Sequence, residues 1–134
     1  MEAAYFKTWN NHIPRTPIDI QNNEFVVNRT KNIIEFVTGL TYENYNVKSR
    51  RRNISFARQL FFYLVRQNST LSLKSIGELF SYEFYFKDTN KMGRRWYDHT
   101  TVIHGIKTIN DLKDGYASHE KKQILTAIEK FKQV

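Results

Sequence analysis

The sequence predicts an all-α domain: a helical bundle with a small β-hairpin or loop inserted between two of its helices. Three observations carry that expectation. Apolar residues recur at three- and four-residue spacing through most of the chain beyond residue 29. Ser55 to Asn68 is the clearest case, with Ala57, Leu60, Phe61, Leu64 and Val65 on one stripe. The exception is the stretch from Ser81 to Tyr97, where two aromatic-rich runs flank a turn-rich one and read as short strands.

Taken in order, residues 1–29 show no clear period and hold both prolines, Pro14 and Pro17, and the polar cluster Gln21-Asn22-Asn23. They are expected to form an N-terminal arm, with one short helical turn near Ala3 to Trp9. Trp9, Phe25 and Val26 are available to dock it on a domain that spans 30–134. From Arg29 a helix is expected, with Ile33, Ile34, Phe36, Val37 and Leu40 as its apolar side and Gly39 near its end. Thr41 to Tyr45 is a short helix or turn.

The helix from Ser55 is widened by Phe62 and Tyr63, so it should be central and covered on more than one side. Ser72 is placed to cap a short amphipathic helix running to Phe80, with Leu73, Ile76 and Phe80 inward and Gly77 allowing close approach of a neighbour. The insertion at 81–97 follows: Tyr82 to Lys87 and Arg94 to Tyr97 as strands, Asp88 to Gly93 as turn. Asp98 then caps a helix with Val102, Ile106, Ile109 and Leu112 on its inner side and Thr100, His104, Lys107 and Thr108 opposite. That helix ends between Asp111 and Gly115. A last helix from Ser118 carries Ile124, Ala127, Ile128 and Phe131 inward and a solvated lysine face. No internal repeat is visible.

Charge narrows the function. The 134 residues carry a formal +8, with a sequence pI near 9.7, which favours a polyanionic partner. Between Glu43 and Glu78 there are seven positive residues and no negative one, and Arg50-Arg51-Arg52 leads directly into a helix. Arginine's planar fork donates in pairs to phosphate and guanine, and a flexible arginine arm can enter a narrow minor groove. With no cysteine, disulfides and thiolate metal sites are excluded. No apolar run approaches the ~20 residues that span a bilayer, and Met1-Glu2-Ala3-Ala4 does not open a secretory signal. A cytoplasmic protein without a membrane partner is the expectation.

An enzyme is not expected, nor a metal or other cofactor. The five glycines build no phosphate-cradling loop. The four histidines, at 12, 99, 104 and 119, form no zinc-binding helix, and the five-residue step from His99 to His104 suits neither one metal nor a catalytic pair.

The run Asp98-His99-Thr100-Thr101-Val102-Ile103-His104 resembles the Asp-His-Thr-Thr-Val-x-His motif of the C-terminal DNA-binding domain of DnaA, the bacterial replication initiator. Ser72-Leu73-Lys74-Ser75-Ile76-Gly77 resembles the first helix of that family's Trp-repressor-like helix-turn-helix, with Lys74 where the family often has proline. Arg58-Gln59 resembles the Arg-Gln pair of its basic helix. The resemblance covers roughly residues 30 to 115, less the insertion, since only a few residues separate the two motif helices in a typical DnaA domain.

What the resemblance implies is a helix-turn-helix that binds double-stranded DNA sequence-specifically as a monomer, at a DnaA-box-like element, in or regulating replication initiation. Asp98, His99, Thr100 and Thr101 would then read bases, with His104 and Lys107 behind them. Arg58 and Gln59 would touch backbone or bases, Arg50 would enter the minor groove, and Arg51, Arg52, Arg66, Leu73 and Lys74 would complete the contact set. The full-length family protein also carries an ATPase module that these residues do not contain, so ATP-driven origin opening is not expected of this chain alone. The insertion leaves three readings open. As a wing it would bring Lys87, Lys91, Arg94 and Arg95 to phosphates. Otherwise its aromatics pack on the domain, or they make the chain an interaction module for a replication protein with weak or nonspecific DNA affinity.

Overall fold

The computed structural model describes residues 17–133. Its elements are α1 (Pro17–Thr38), α2 (Tyr42–Tyr45), α3 (Arg52–Asn68), α4 (Leu73–Gly77), β1 (Ser81–Phe86), β2 (Lys91–Trp96), α5 (His99–Asp114) and α6 (His119–Lys132). The helical bundle with an inserted antiparallel hairpin is as the sequence predicts.

The first helix corrects one expectation. It begins at Pro17, so residues 17–29 belong to the folded unit rather than to an arm. Proline is compatible with the first helical turn, where its missing N–H has no intrahelical partner to lose. Within the polar cluster that read as arm, the buried Asn23 exchanges hydrogen bonds with Thr70, its Nδ2 donating to Thr70 Oγ1 at 3.0 Å and its Oδ1 accepting from Thr70 N at 3.1 Å. Val26 is buried while Phe25 is exposed. The proposed turn at Ala3 to Trp9 and the docking of Trp9 lie outside the described residues. Phe36, expected inward, is exposed beneath the Lys130 ammonium, 4.2 Å from its ring centre.

The central helix is α3, which starts three residues before Ser55. Phe56, Ala57, Leu60, Phe61, Phe62, Tyr63, Leu64 and Val65 are all buried, so the helix is covered on every side from Leu60 to Val65. It packs against α1, α5, α2 and α4. Phe61, Phe62, Phe80, Tyr45 and Tyr42 form an aromatic cluster over it, with Phe61 and Phe80 edge-to-face at 4.8 Å. Such pairs add roughly 0.5–1.5 kcal/mol each beyond area burial. The Tyr42 hydroxyl donates to the Leu79 carbonyl, tying α2 to the segment after α4. On the far side Arg29 donates to the C-terminal carbonyls of Lys130 and Phe131, closing α6 on α1.

The insertion does not separate the motif helices. Ser81 pairs with Trp96 and Phe86 with Lys91, so the ribbon leaves and returns at the same place. Its turn is residues 87–90, shorter than the expected Asp88 to Gly93. Asn90 adopts φ 57°, a left-handed conformation that asparagine tolerates better than most residues. Consequently α4 and α5 stay packed together, and Gly77 lies so close to the Tyr97 carbonyl that a Cβ there would overlap it.

Candidate nucleic-acid interface

Asp98 caps α5 with its Oδ1, which accepts from the Thr101 backbone N–H at 2.9 Å and from the Thr101 hydroxyl at 3.0 Å. These bonds, the backbone one first, hold the Asp98 carboxyl below the usual carboxylate range. Asp98, His99, Thr100 and Thr101 are all exposed, and so are His104 and Lys107 one and two turns on. The back of the helix carries Val102, Gly105 and Ile109, all buried, with Ile106 and Leu112 partly so. The local cause is the pattern read from the sequence: a capping carboxylate, three short polar residues, then apolar spacing.

Beside this tip lies the loop from Asn46 to Arg51. Arg58 organises it. Its guanidinium donates to the carbonyls of Tyr45 at 3.2 Å, Val47 at 2.7 Å and Ser49 at 3.0 Å, and lies 5.0 Å from the Tyr97 ring centre. Arg58 is only 7% exposed. Three of its five N–H donors serve loop carbonyls, so in the structure it holds the loop in place. Gln59 is half-buried under Gly105 of α5, with its Oε1 buried and unpartnered among the described residues. Its oxygen is not on the surface that the resemblance implies.

The remaining basic residues divide. Arg50 and Arg51 are exposed and make no side-chain hydrogen bond or ion pair among the described residues. Arg52 instead pairs with Glu120 of α6 at 2.7 Å, and Arg66, near the opposite end of α3, donates to the Leu71 carbonyl at 3.2 Å. Lys74 is exposed in the first turn of α4, behind a Ser72 cap that accepts from Ser75 N at 3.1 Å; Leu73 beside it packs partly into the core.

In the hairpin, Lys87 and Lys91 are exposed. Arg94 donates to Ser81 Oγ at 2.7 Å, and Arg95 lies 3.6 Å over the Phe84 ring centre. Lys48 joins loop to hairpin, 5.2 Å over Tyr82 and 5.7 Å over Phe84, while Asn46 Oδ1 accepts from Ser81 N at 3.0 Å.

Tyr97 was not singled out by the sequence reading, yet it connects the parts: its ring meets Arg58, Phe62 and Tyr82, and its hydroxyl donates to Val47 O at 3.3 Å. A signal was present. Tyr97 precedes the N-cap and Val102 is four residues into the helix, the sequence placement of a hydrophobic staple.

A short helix packed at a glycine against a longer one, whose capped polar N-terminus stays free, defines a helix-turn-helix protein, here with a ribbon spliced into the turn. The sequence model of the family described as bacterial dnaA protein helix-turn-helix matches residues 28–83, ending inside β1. Over those residues the chain is similar to the C-terminal helix-turn-helix domain of that DnaA family. Relatives named chromosomal replication initiator protein DnaA align over more of it. That of a Picosynechococcus species is 43% identical over 75 residues, 56% of this chain and 14% of the relative. That of Gloeothece citriformis is 37% identical over 94 residues, covering 70% and 18%. That of Nostoc punctiforme is 34% identical over 121 residues, covering 84% and 23%. The chain thus spans less than a quarter of the length of these relatives. No solved structure matches it.

Proposed function

We propose that this domain binds double-stranded DNA sequence-specifically at a short DnaA-box-like element, and that it acts in or regulates the initiation of replication. The observation that carries the reading is the free tip of α5: Asp98, His99, Thr100 and Thr101 exposed together on a capped helix end, beside a loop that carries Arg50 and Arg51. A helix N-terminus of this kind enters the major groove, while arginines and lysines fix register on phosphates.

The cap refines the division of labour. The Thr101 hydroxyl donates to Asp98, which leaves the Thr101 methyl for a thymine methyl. The second Asp98 oxygen suits a cytosine amino group. His99 and Thr100 take neighbouring base edges. Arg50 enters the minor groove, Arg51 and Lys74 meet phosphates, and His104 and Lys107 extend the contact along α5. The contact needs no second copy, so a monomer is the binding unit.

Fluorescence-anisotropy titration on duplexes with a DnaA-box-type site and a scrambled site, at two salt concentrations, tests this. Preference for the site that survives the higher salt supports it; equal binding that collapses with salt leaves only counterion release. His99→Ala and Thr101→Ala should erode that preference, each by about 1–3 kcal/mol, whereas Lys74→Ala should weaken both duplexes alike. Equal loss on both duplexes for the first two sinks the assignment of readers.

A second reading has its own observation. Tyr85, Met92 and Trp96 are exposed on the hairpin, which suits a chain that binds a replication protein and touches DNA only weakly. It predicts no site preference in the same titration.

A further inference from the structure

We infer that the inserted hairpin is a second DNA-contacting element, which carries the footprint beyond the site read by the α5 tip onto flanking duplex. This rests on the DNA-binding reading above and adds a surface that the helix-turn-helix itself does not supply.

Four observations converge on it. The first is position. β2 ends at Trp96, two residues before the Asp98 cap, and Lys48 of the basic loop lies over Tyr82 and Phe84 of β1. The base of the ribbon is therefore continuous with both the tip and the loop. The second is lack of cover. Among the described residues the two strands pair chiefly with each other and pack closely on no helix. Tyr85 and Met92 face each other across the ladder, on the same side as Trp96, and are 45%, 61% and 57% exposed respectively. The same side also carries the exposed pair Glu83 and Arg94; an isolated two-stranded ribbon is marginal in water, so its exposed Tyr85, Met92 and Trp96 favour cover by a partner.

The third is charge. Residues 81–97 hold Lys87, Lys91, Arg94 and Arg95 against Glu83 and Asp88, four positive less two negative, a net +2. Lys87 and Lys91 flank the turn and make no ion pair among the described residues, whereas Arg94 and Arg95 are anchored within the ribbon. The unpaired lysines are therefore at the far end, with Asp88 beside them, leaving that end at a net +1. The fourth is length. Six residues per strand extend roughly 20 Å at ~3.3 Å each, or about six base pairs at ~3.4 Å of duplex per step.

Together these fit one occupant: the backbone and groove wall of DNA next to the site. Lys87 and Lys91 take phosphates, and the Tyr85, Met92 and Trp96 side covers sugar and apolar groove surface. The contact carries no base code, so it adds affinity to any flank. A protein partner fits this charge less well, because Lys87 and Lys91 stand free at the turn and Lys48 of the positive loop covers the ribbon's other face at Tyr82 and Phe84.

The experiment compares two duplexes with the same central DnaA-box-type site, one trimmed to the site and one longer by a helical turn (~10 base pairs) at each end. Wild-type chain should bind the longer duplex about tenfold more tightly. Lys87→Ala/Lys91→Ala should lose most of that gain and leave the trimmed duplex unaffected. Its salt slope on the longer duplex should fall by about 1.8, at 0.9 per phosphate contact. Both lysines are exposed, so folding is not at issue, and Trp96→Ala gives an independent loss without a charge change. Equal wild-type affinity for the two duplexes overturns the inference, as does a double variant that keeps the whole gain; the bare side would then belong to a protein. Failure of the site reading shows separately, as equal binding to trimmed and scrambled cores. A flank gain that persists there still supports the hairpin, and absence of any DNA binding overturns both.

Discussion

Asp98 is both the cap of α5 and a reader in the proposed contact, and its ionisation links the two roles. Hydrogen bonds from Thr101 depress its folded value, so its contribution to stability is present above the unfolded carboxylate range and is lost as pH falls through the folded value. An amide in its place still accepts from Thr101 but does not titrate. The gap in melting temperature between wild type and Asp98→Asn should therefore be widest near neutrality and shrink below pH ~4; a constant gap across that range would refute the assignment. Arg58 presents the opposite situation, a charge in the interior whose partners are all carbonyls. Burial lowers its pKa from the ordinary value, with the Tyr97 phenol acting against that shift. Removing it leaves the Tyr45, Val47 and Ser49 carbonyls without their donor. Arg58→Ala should cost about 3 kcal/mol in urea unfolding and should loosen the loop that holds Arg50 and Arg51. Stability equal to wild type would mean that water replaces the guanidinium without loss.

At the scale of elements, the orientation of α5 depends on how closely it approaches α3. A Cβ on Gly105 would come within 2.9 Å of Phe62 Cδ2 and 3.4 Å of Gln59 Cγ. Both neighbours are on a helix that is buried along this length, so neither moves freely. Gly105→Ala should destabilise by about 1–3 kcal/mol and tilt the reading end away from its loop. Thermal melting together with the site-versus-scrambled ratio checks this, and an unchanged melt would show that Phe62 has room to turn. The hairpin was legible because its cues are local: alternating aromatics, a turn-rich centre and a return to aromatics. The sequence left its length and its side undecided. Strand pairing then extended β2 back to Lys91 and moved Gly93 out of the turn and into the ladder, opposite Phe84.

For the whole molecule, the unit held together by α1 starts well before residue 30. A chain beginning at Thr30 would lack the Asn23–Thr70 bonds, the buried Val26 and the Arg29 donors to α6. It should lose roughly 3 kcal/mol or more, read as a lower urea midpoint; an unchanged midpoint would restore the boundary expected from the sequence. Similarly, Arg50→Ala/Arg51→Ala should lower DNA affinity and salt slope, while Arg52→Ala should leave the slope nearly unaltered, because Arg52 is paired with Glu120. The sequence by itself determined the helical class, the capped polar tip of α5, the positive surplus and the inserted ribbon. Those follow from periodicity, capping chemistry and composition, which act over a few residues or over the whole sum. Only the tertiary structure decided which arginines remain free, that Gln21 to Asn23 is helix rather than arm, and that Tyr97 joins loop, core and hairpin. Each depends on residues far apart in the chain, Asn23 with Thr70, Arg52 with Glu120, Tyr97 with Val47. A buried polar group takes whichever partner the folded backbone brings to it, and no local pattern names that partner in advance.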